Sequence, residues 1–423
     1  MTSHRKRDVM LSLYIPAAAA GISTGMTAPV LPILAKSFDV SIGIASLVFI
    51  VHMAGSAVGT IPTGLLIDRI GRRKVLLIGP IITAIAAIMI ATADSFGEIL
   101  VYRFIGGWGQ QMWALSRLTL IADTAGASRG RQVTSMLSAQ RVGTLIGPAL
   151  GGGVAAAWGL QLPFVIQGVV LLVGMLPSYF VVKEIDSIKN AKAKGESRPK
   201  LSWRSFLVSP IPAVFSAQFL VNVARGGVEN GGVLFLYAAY AYGDEASVVV
   251  LGVLSSIMAG VSIPIALASG VVMDKRGRRF TLIPGTISLT LALLLMAATS
   301  YANLSFIWFI AGFAANHVAV SVMLGSWQTI GTDVAPKEGR GTFFGTSRLI
   351  SHTGRLSSPG SFAVLSEVGS YGIAFTFLAT ASLAASGIIM FFVKETLHLQ
   401  DNAPVLPAKP AIPDGKENPT ATR

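Results

Sequence analysis

The sequence predicts an all-α integral membrane protein with twelve transmembrane helices arranged as two pseudo-symmetric six-helix bundles. Three observations carry that expectation. Hydrophobic residues make up 52% of the chain and charged residues only 13%, against roughly 45–50% and 25% in soluble domains. One short segment occurs twice: Gly64-Leu-Leu-Ile-Asp68-Arg69-Ile-Gly71-Arg72-Arg73 returns as Gly270-Val-Val-Met-Asp274-Lys275-Arg-Gly277-Arg278-Arg279, displaced by 206 residues. Lys and Arg also gather in alternate connections: Arg5 to Arg7, Arg69 to Lys74, Arg129 and Arg131, Lys183 to Arg204, Lys275 to Arg279, Lys337 and Arg340, and Lys394. The loops between them, around 94–98, 156–161, 243–246, 300–303 and 367–371, carry none, and the first has only Lys36.

A membrane span needs about 20 mainly apolar residues. Candidates, numbered here as spans 1 to 12, fall near 10–35, 43–66, 75–93, 97–121, 132–156 and 161–182, then 211–240, 247–272, 280–300, 303–331, 340–367 and 371–393. Residues 1–183 form the first bundle and 207–399 the second. The charged stretch 184–206 is a cytoplasmic linker, and 400–423, with Pro404, Pro407, Pro410 and Pro413 at intervals of three, reads as a disordered cytoplasmic tail. The N-terminal bases followed by Ala17 to Ala20 are compatible with a cleaved signal peptide. The apolar run continues to Ala35, however, and reads better as span 1.

The net charge of +13 would suit nucleic acid, but its distribution is the positive-inside bias. It places a multi-pass protein in the plasma (inner) membrane with both termini cytoplasmic. The 45 glycines suit helices that pack closely in lipid. The chain has no cysteine, which removes disulfide, thiolate and zinc-cysteine chemistry. No metal or cofactor is expected.

The repeat extends beyond the opening segment. Asp123, Arg129-Gly130, Gly143 and Pro148 find counterparts in Asp333, Arg340-Gly341, Gly354 and Pro359, at offsets of 210 or 211. A membrane chain built from two related halves points to a transporter. The duplicated loop resembles motif A of the Major Facilitator family, Gly-x-x-x-Asp-Arg-x-Gly-Arg, and with its supporting motifs the resemblance covers nearly the whole chain. Gly71 and Gly277 permit a sharp turn between spans. The resemblance implies a conformational latch made by Gly64, Asp68, Arg69, Gly71, Arg72 and Arg73, and again by Gly270, Asp274, Gly277, Arg278 and Arg279. Asp123 and Asp333 are its acidic partners for Arg72 and Arg278. The plainer alternative is that these charges only set topology.

On span 5, Gly143, Gly147, Pro148, Gly151 and Gly152 are similar to motif C of the twelve-span drug:proton antiporter branch. Glycines four apart leave a flat helix face for close approach by a helix of the other half. Pro29 and Pro32 resemble the end of span 1 in the same branch. Arg103 matches the Arg of motif B, which the resemblance links to proton handling. Span 1 carries no Asp or Glu in its apolar part, where several members keep a titratable acid.

Family architecture places spans 1, 4, 7 and 10 around a central cavity. Thr27 belongs to span 1. Span 4 offers Arg103, Gln110 and Arg117, each seven residues apart and so on one face. Span 7 offers Gln218, Asn222, Arg225 and Glu229, and span 10 offers His317, Ser321 and Gln328. An ionisable group at the bilayer centre costs about 2.5–3.5 kcal/mol on insertion scales, so these residues are expected to face the interior. Glu229 is the one clear carboxylate within an apolar span. It reads as a proton-coupling group beside Arg103 or as a closed ion pair with Arg225.

Arg103, Arg117, Arg141, Arg225, Arg348 and Arg355 all fall inside spans. As a set they favour a carboxylate-bearing anion held by Arg103 and Arg225. Taken singly, Arg117 is expected to snorkel to the surface, and Arg141 and Arg348 to satisfy carbonyls. His52, His317 and His352 are further titratable groups.

Two functions compete. One is proton-coupled efflux of small amphiphilic molecules or drugs by alternating access. The other is import or uniport of small organic anions on the same fold. A non-transporting receptor does not need two gates, and no nucleophile–base constellation suggests an enzyme. The expected partners are the lipid bilayer, a small-molecule substrate with an anion among the candidates, and protons. Nucleic acid is not expected, and the chain is expected to be monomeric.

Overall fold

The computed structural model describes residues 14–124, 129–181, 210–228, 232–334 and 340–395, and all regular structure among them is helical. Span 1 comprises Ile15–Thr27 and Val30–Lys36, interrupted at Ala28-Pro29. Spans 2 to 6 are Ile42–Ile70, Arg72–Ala91, Phe96–Thr124, Arg129–Trp158 and Leu162–Val181. Span 7 is Ile211–Arg225 and Gly232–Ala241, followed by the 3-10 turn Gly243–Ala246. Spans 8 to 12 are Val248–Arg276, Arg279–Tyr301, Phe306–Val334, Arg340–Val368 and Tyr371–Phe392. Eight spans are long and apolar enough to cross a bilayer on that ground alone. Spans 4, 5 and 11 are less apolar, and span 7 is described as two shorter apolar helices.

The repeat is structural as well as sequential. Spans 2 and 8 each run 29 residues, about 43 Å at 1.5 Å per residue, which exceeds the roughly 30 Å hydrocarbon core. Each begins at a serine cap, with Ser41 Oγ accepting from the Ile44 N–H and Ser247 Oγ from the Val250 N–H. Each ends at a glycine of positive φ, +90° at Gly71 and +103° at Gly277. Only a residue without a Cβ holds that conformation cheaply, so the tight turn between spans is written into both copies.

Packing repeats too. Span 1 lies on spans 5 and 6, span 2 on span 4, and span 3 on spans 4 and 6. Correspondingly, span 7 lies on spans 11 and 12, span 8 on span 10, and span 9 on spans 10 and 12. The bundles meet where span 5 packs on span 8 and span 2 on span 11. Large apolar side chains such as Ile61 (76% exposed), Leu267 (69%) and Phe391 (77%) point outward, as a lipid-facing surface requires.

The halves are joined at the end where spans 2 and 8 begin, opposite the duplicated loops. There Lys36 Nζ donates to the Ala239 carbonyl (2.5 Å), the Tyr240 hydroxyl to the Val40 carbonyl (2.5 Å), and the Gly43 N–H to Glu367 Oε2 (3.2 Å). Slightly deeper, the Ala149 N–H donates to Ser256 Oγ (3.0 Å). All four lie towards the end away from the duplicated loops.

Candidate substrate cavity and gate loops

Two cavities open between the halves, one on each side of span 1, and Thr24 and Ala28 line both. The break in span 1 therefore sits at their common wall. The larger, about 330 Å³, is built by spans 1, 2, 3, 4 and 6. It is closed from the other half by Gly226, Gly227 and Gly232 at the break in span 7 and by Arg355 and Pro359 of span 11. The smaller, about 210 Å³, lies among spans 1, 5, 8 and 10 and is lined by Arg141, Asn316 and His317 with Ser255, Ser262 and Ser321. Interrupted spans at a site between repeats are a common device, because irregular backbone is tolerated in a membrane where it lines a cavity.

Span 4 sets the chemistry of the larger cavity. Arg103 and Gln110 project from one face into it, and His52 of span 2 ties them together. His52 Nδ1 lies 3.2 Å from the Arg103 carbonyl and Nε2 lies 2.7 Å from Gln110 Oε1. A carbonyl can only accept, so Nδ1 carries a proton. Nε2 is then the acceptor of a neutral imidazole and takes an N–H from a rotated Gln110 amide. Arg103 Nε donates to the Val48 carbonyl (3.2 Å). Its Nη groups have no hydrogen-bond partner among the described residues. Arg355 reaches the same space from the other half, its Nε donating to Asn222 Oδ1 at 3.3 Å. Among the described residues neither cavity is lined by Asp or Glu.

The structure redistributes several expected cavity residues. Thr27, Arg103 and Gln110 line the larger cavity, and His317 and Ser321 the smaller. Gln218 and Asn222 line neither. The Gln218 amide donates to Ser351 Oγ (2.7 Å) and accepts from Ser347 Oγ (3.0 Å), and Asn222 bonds Gln218 and Arg355. Their polarity joins span 7 to span 11. Arg225 is 8% exposed and lines neither cavity, so Arg355, not Arg225, is the second guanidinium beside Arg103. Arg141 lines the smaller cavity. Arg117 does not snorkel: it is 9% exposed, with its guanidinium 4.0 Å over the Trp113 ring. Glu229 and the side chains of Asp68, Asp123, Gln328 and Asp333 lie outside the described residues.

His52, Gln167 and Arg355 were not assigned to the cavity from sequence. His52 and Gln167 stand alone in apolar runs, so periodicity gives no signal for them. Arg355 carried one, as a charge inside span 11.

The gate loops are held by contacts within each half. Arg73 Nη2 donates to the Tyr179 carbonyl at the end of span 6 (2.9 Å), and Arg279 Nη2 to the Met390 carbonyl at the end of span 12 (2.6 Å). In the second half the Glu395 carboxylate accepts the Arg278 and Arg279 backbone N–H groups (2.9 and 3.0 Å), capping the start of span 9. A Cβ on Gly277 would collide with that carboxylate. A sequence signal for Glu395 exists: Phe391-Phe-Val-Lys394-Glu395 repeats Phe180-Val-Val-Lys183-Glu184 at an offset of 211.

The span 5 glycines behave differently from expectation. Gly143, Gly147 and Gly151 face the backbone of span 1 in their own half, and only Gly152 meets span 8, at Val248. Span 8 answers with Gly252 against Pro148. Backbone-to-backbone approach at each position leaves no room for a side chain, so most of this face fastens the first half rather than the joint between halves.

Two helical bundles with interrupted spans at a cavity lined by both halves have the architecture of a membrane transporter. The model of the Major Facilitator Superfamily matches residues 13–359 and 231–414, and the chain belongs to that family. It is 23% identical over 409 residues to the cis,cis-muconate transport protein of Acinetobacter baylyi, covering 93% of this chain and 95% of that one. It is 26% identical over 350 residues to the multidrug resistance protein MdtG of Dickeya zeae, covering 80% and 81%. Among solved structures, the inward open xylose transporter XylE from E. coli superposes with a TM-score of 0.71 at 16% identity, covering 92% of this chain and 98% of that one. That likeness speaks to the fold alone. A small-molecule substrate crossing a lipid bilayer follows from the family.

Proposed function

We propose that the chain is a secondary transporter of small amphiphilic organic anions, moved by alternating access between residues 1–183 and 207–399. The observation that carries this reading is Arg103, whose Nη groups have no hydrogen-bond partner among the described residues, in a cavity whose described lining has no carboxylate and which Arg355 of the other half also lines. An arginine keeps its charge throughout the accessible pH range, and a cation in such surroundings is best compensated by an anion. The apolar remainder of the lining, Leu31, Phe49, Met53, Trp113 and Leu171, suits a hydrocarbon body. The relative named for cis,cis-muconate transport supports a carboxylate.

On the orientation given by the charge bias, the duplicated loops face the cytoplasm of the inner membrane. The interhalf hydrogen bonds then close the outer side, which supports an inward-facing state. Motion from this state breaks the Lys36, Tyr240 and Glu367 contacts, while Asp68, Asp274 and their arginines latch the opposite side, with Asp123 and Asp333 as partners. Proton coupling falls to Glu229 with Arg103. The multidrug relatives and the span 5 glycine face favour a second reading, proton-driven export of amphiphilic drugs.

The test is uptake into everted vesicles, acid inside, of labelled cis,cis-muconate and of a lipophilic cation, with Glu229→Gln in parallel. Muconate accumulation that requires the proton gradient and fails in the variant supports anion export with Glu229 as the coupling group. Preference for the cation supports the second reading. Equilibration indifferent to the gradient removes the proton coupling.

A further inference from the structure

We infer that Arg117, with Trp113 and Gln140, forms a second anion-binding station between the larger cavity and the duplicated-loop end, a conclusion that rests on the anion reading above. Arg117 lies fourteen residues beyond Arg103 on span 4, on nearly the same face and about 21 Å further along the axis. Trp113, one turn before it, lines the cavity. The same indole carries the Arg117 guanidinium at 4.0 Å. One side chain thus belongs to both the cavity and the second cation.

The surroundings of Arg117 are incomplete for a buried charge. It is nine-tenths buried, with 9% of its surface exposed. Nη2 donates to Gln140 Oε1 at 3.2 Å, while Nε and Nη1 are buried without a hydrogen-bond partner. Among the described residues no carboxylate pairs with it. The Trp113 face attracts the cation and Gln140 supplies one neutral acceptor, but neither neutralises a charge that cannot be shed at neutral pH. Two orphaned donors on a fixed cation require an acceptor, and a negatively charged one also offsets the charge. A side chain serving only as a strut between spans 4 and 5 would need the Gln140 bond alone.

Placed there, the station divides the passage of an anion into two shorter steps, from Arg103 to Arg117 and from Arg117 to the loop end. Sodium bromide soaked into crystals of the full chain tests this by anomalous scattering. A bromide peak within hydrogen-bond reach of Arg117, retained in Arg117→Lys and lost in Arg117→Gln, is expected. Peaks at Arg103 with Arg117 clear would overturn the station and leave the cavity reading standing. Peaks at neither arginine would overturn both. A peak at Arg117 alone supports the station and removes the cavity reading. Should Arg117→Gln fail to fold, the wild-type map decides.

Discussion

At the scale of single residues, charge inside an apolar span is the informative feature. Arg103 was legible because it stands seven residues from Gln110 on a helix whose other residues are mostly apolar. The structure adds what spacing cannot: His52 bridges the two from another span, and Arg355 arrives from the opposite half. Arg103→Gln removes a charge-assisted contact of about 1.5–3 kcal/mol. The KM for a carboxylate substrate should rise by roughly ten- to a hundred-fold, since 1.4 kcal/mol is one decade. An unchanged KM in reconstituted vesicles would take Arg103 out of the substrate site. Gln218 and Asn222 were misread because a polar stripe signals an interior position without saying what it meets. Here it meets span 11.

At the scale of elements, boundaries came from local chemistry. Serine caps at Ser41 and Ser247 and positive-φ glycines at Gly71 and Gly277 delimit spans 2 and 8. The break in span 7 escaped the hydropathy reading because Gly226, Gly227 and Gly232 are compatible with a membrane helix until packing against span 11 decides otherwise. There the Gly227 N–H donates to Ser358 Oγ at 2.7 Å. Glu395 is a cap contributed by a residue more than a hundred positions from the helix it caps. Glu395→Gln keeps the shape and removes the charge facing the start of span 9. Loss of about 1 kcal/mol is expected from weakened capping, seen as a lower melting temperature of the detergent-solubilised protein. A variant as stable as the wild type would show that the cap contributes nothing.

At the scale of the whole molecule, two halves with matching internal contacts meet along two seams, span 5 with span 8 and span 2 with span 11. Rocking requires at least one seam to open and close. The natural absence of cysteine makes this directly testable. The Ala149 N–H lies 3.0 Å from Ser256 Oγ, so Ala149→Cys with Ser256→Cys should place two thiols within disulfide reach. Oxidation should lock the seam and stop transport, with recovery on reduction. Full transport by quantitatively cross-linked protein would show that this seam stays closed throughout the cycle.

The sequence by itself determined the class: apolar runs of membrane length, a loop written twice, bases in alternate connections. Each depends on near neighbours along the chain, because a span's transfer into lipid and a turn's need for glycine are local free energies. Only the tertiary structure decided which polar groups share a cavity, which glycines face which helix, and where the halves touch. Those are contacts between residues tens to hundreds of positions apart, such as Lys36 with Ala239, Gly43 with Glu367 and Gly152 with Val248. Helical periodicity specifies a face but not its neighbour, and in lipid the neighbour is selected by close packing and hydrogen bonding after the helices have formed.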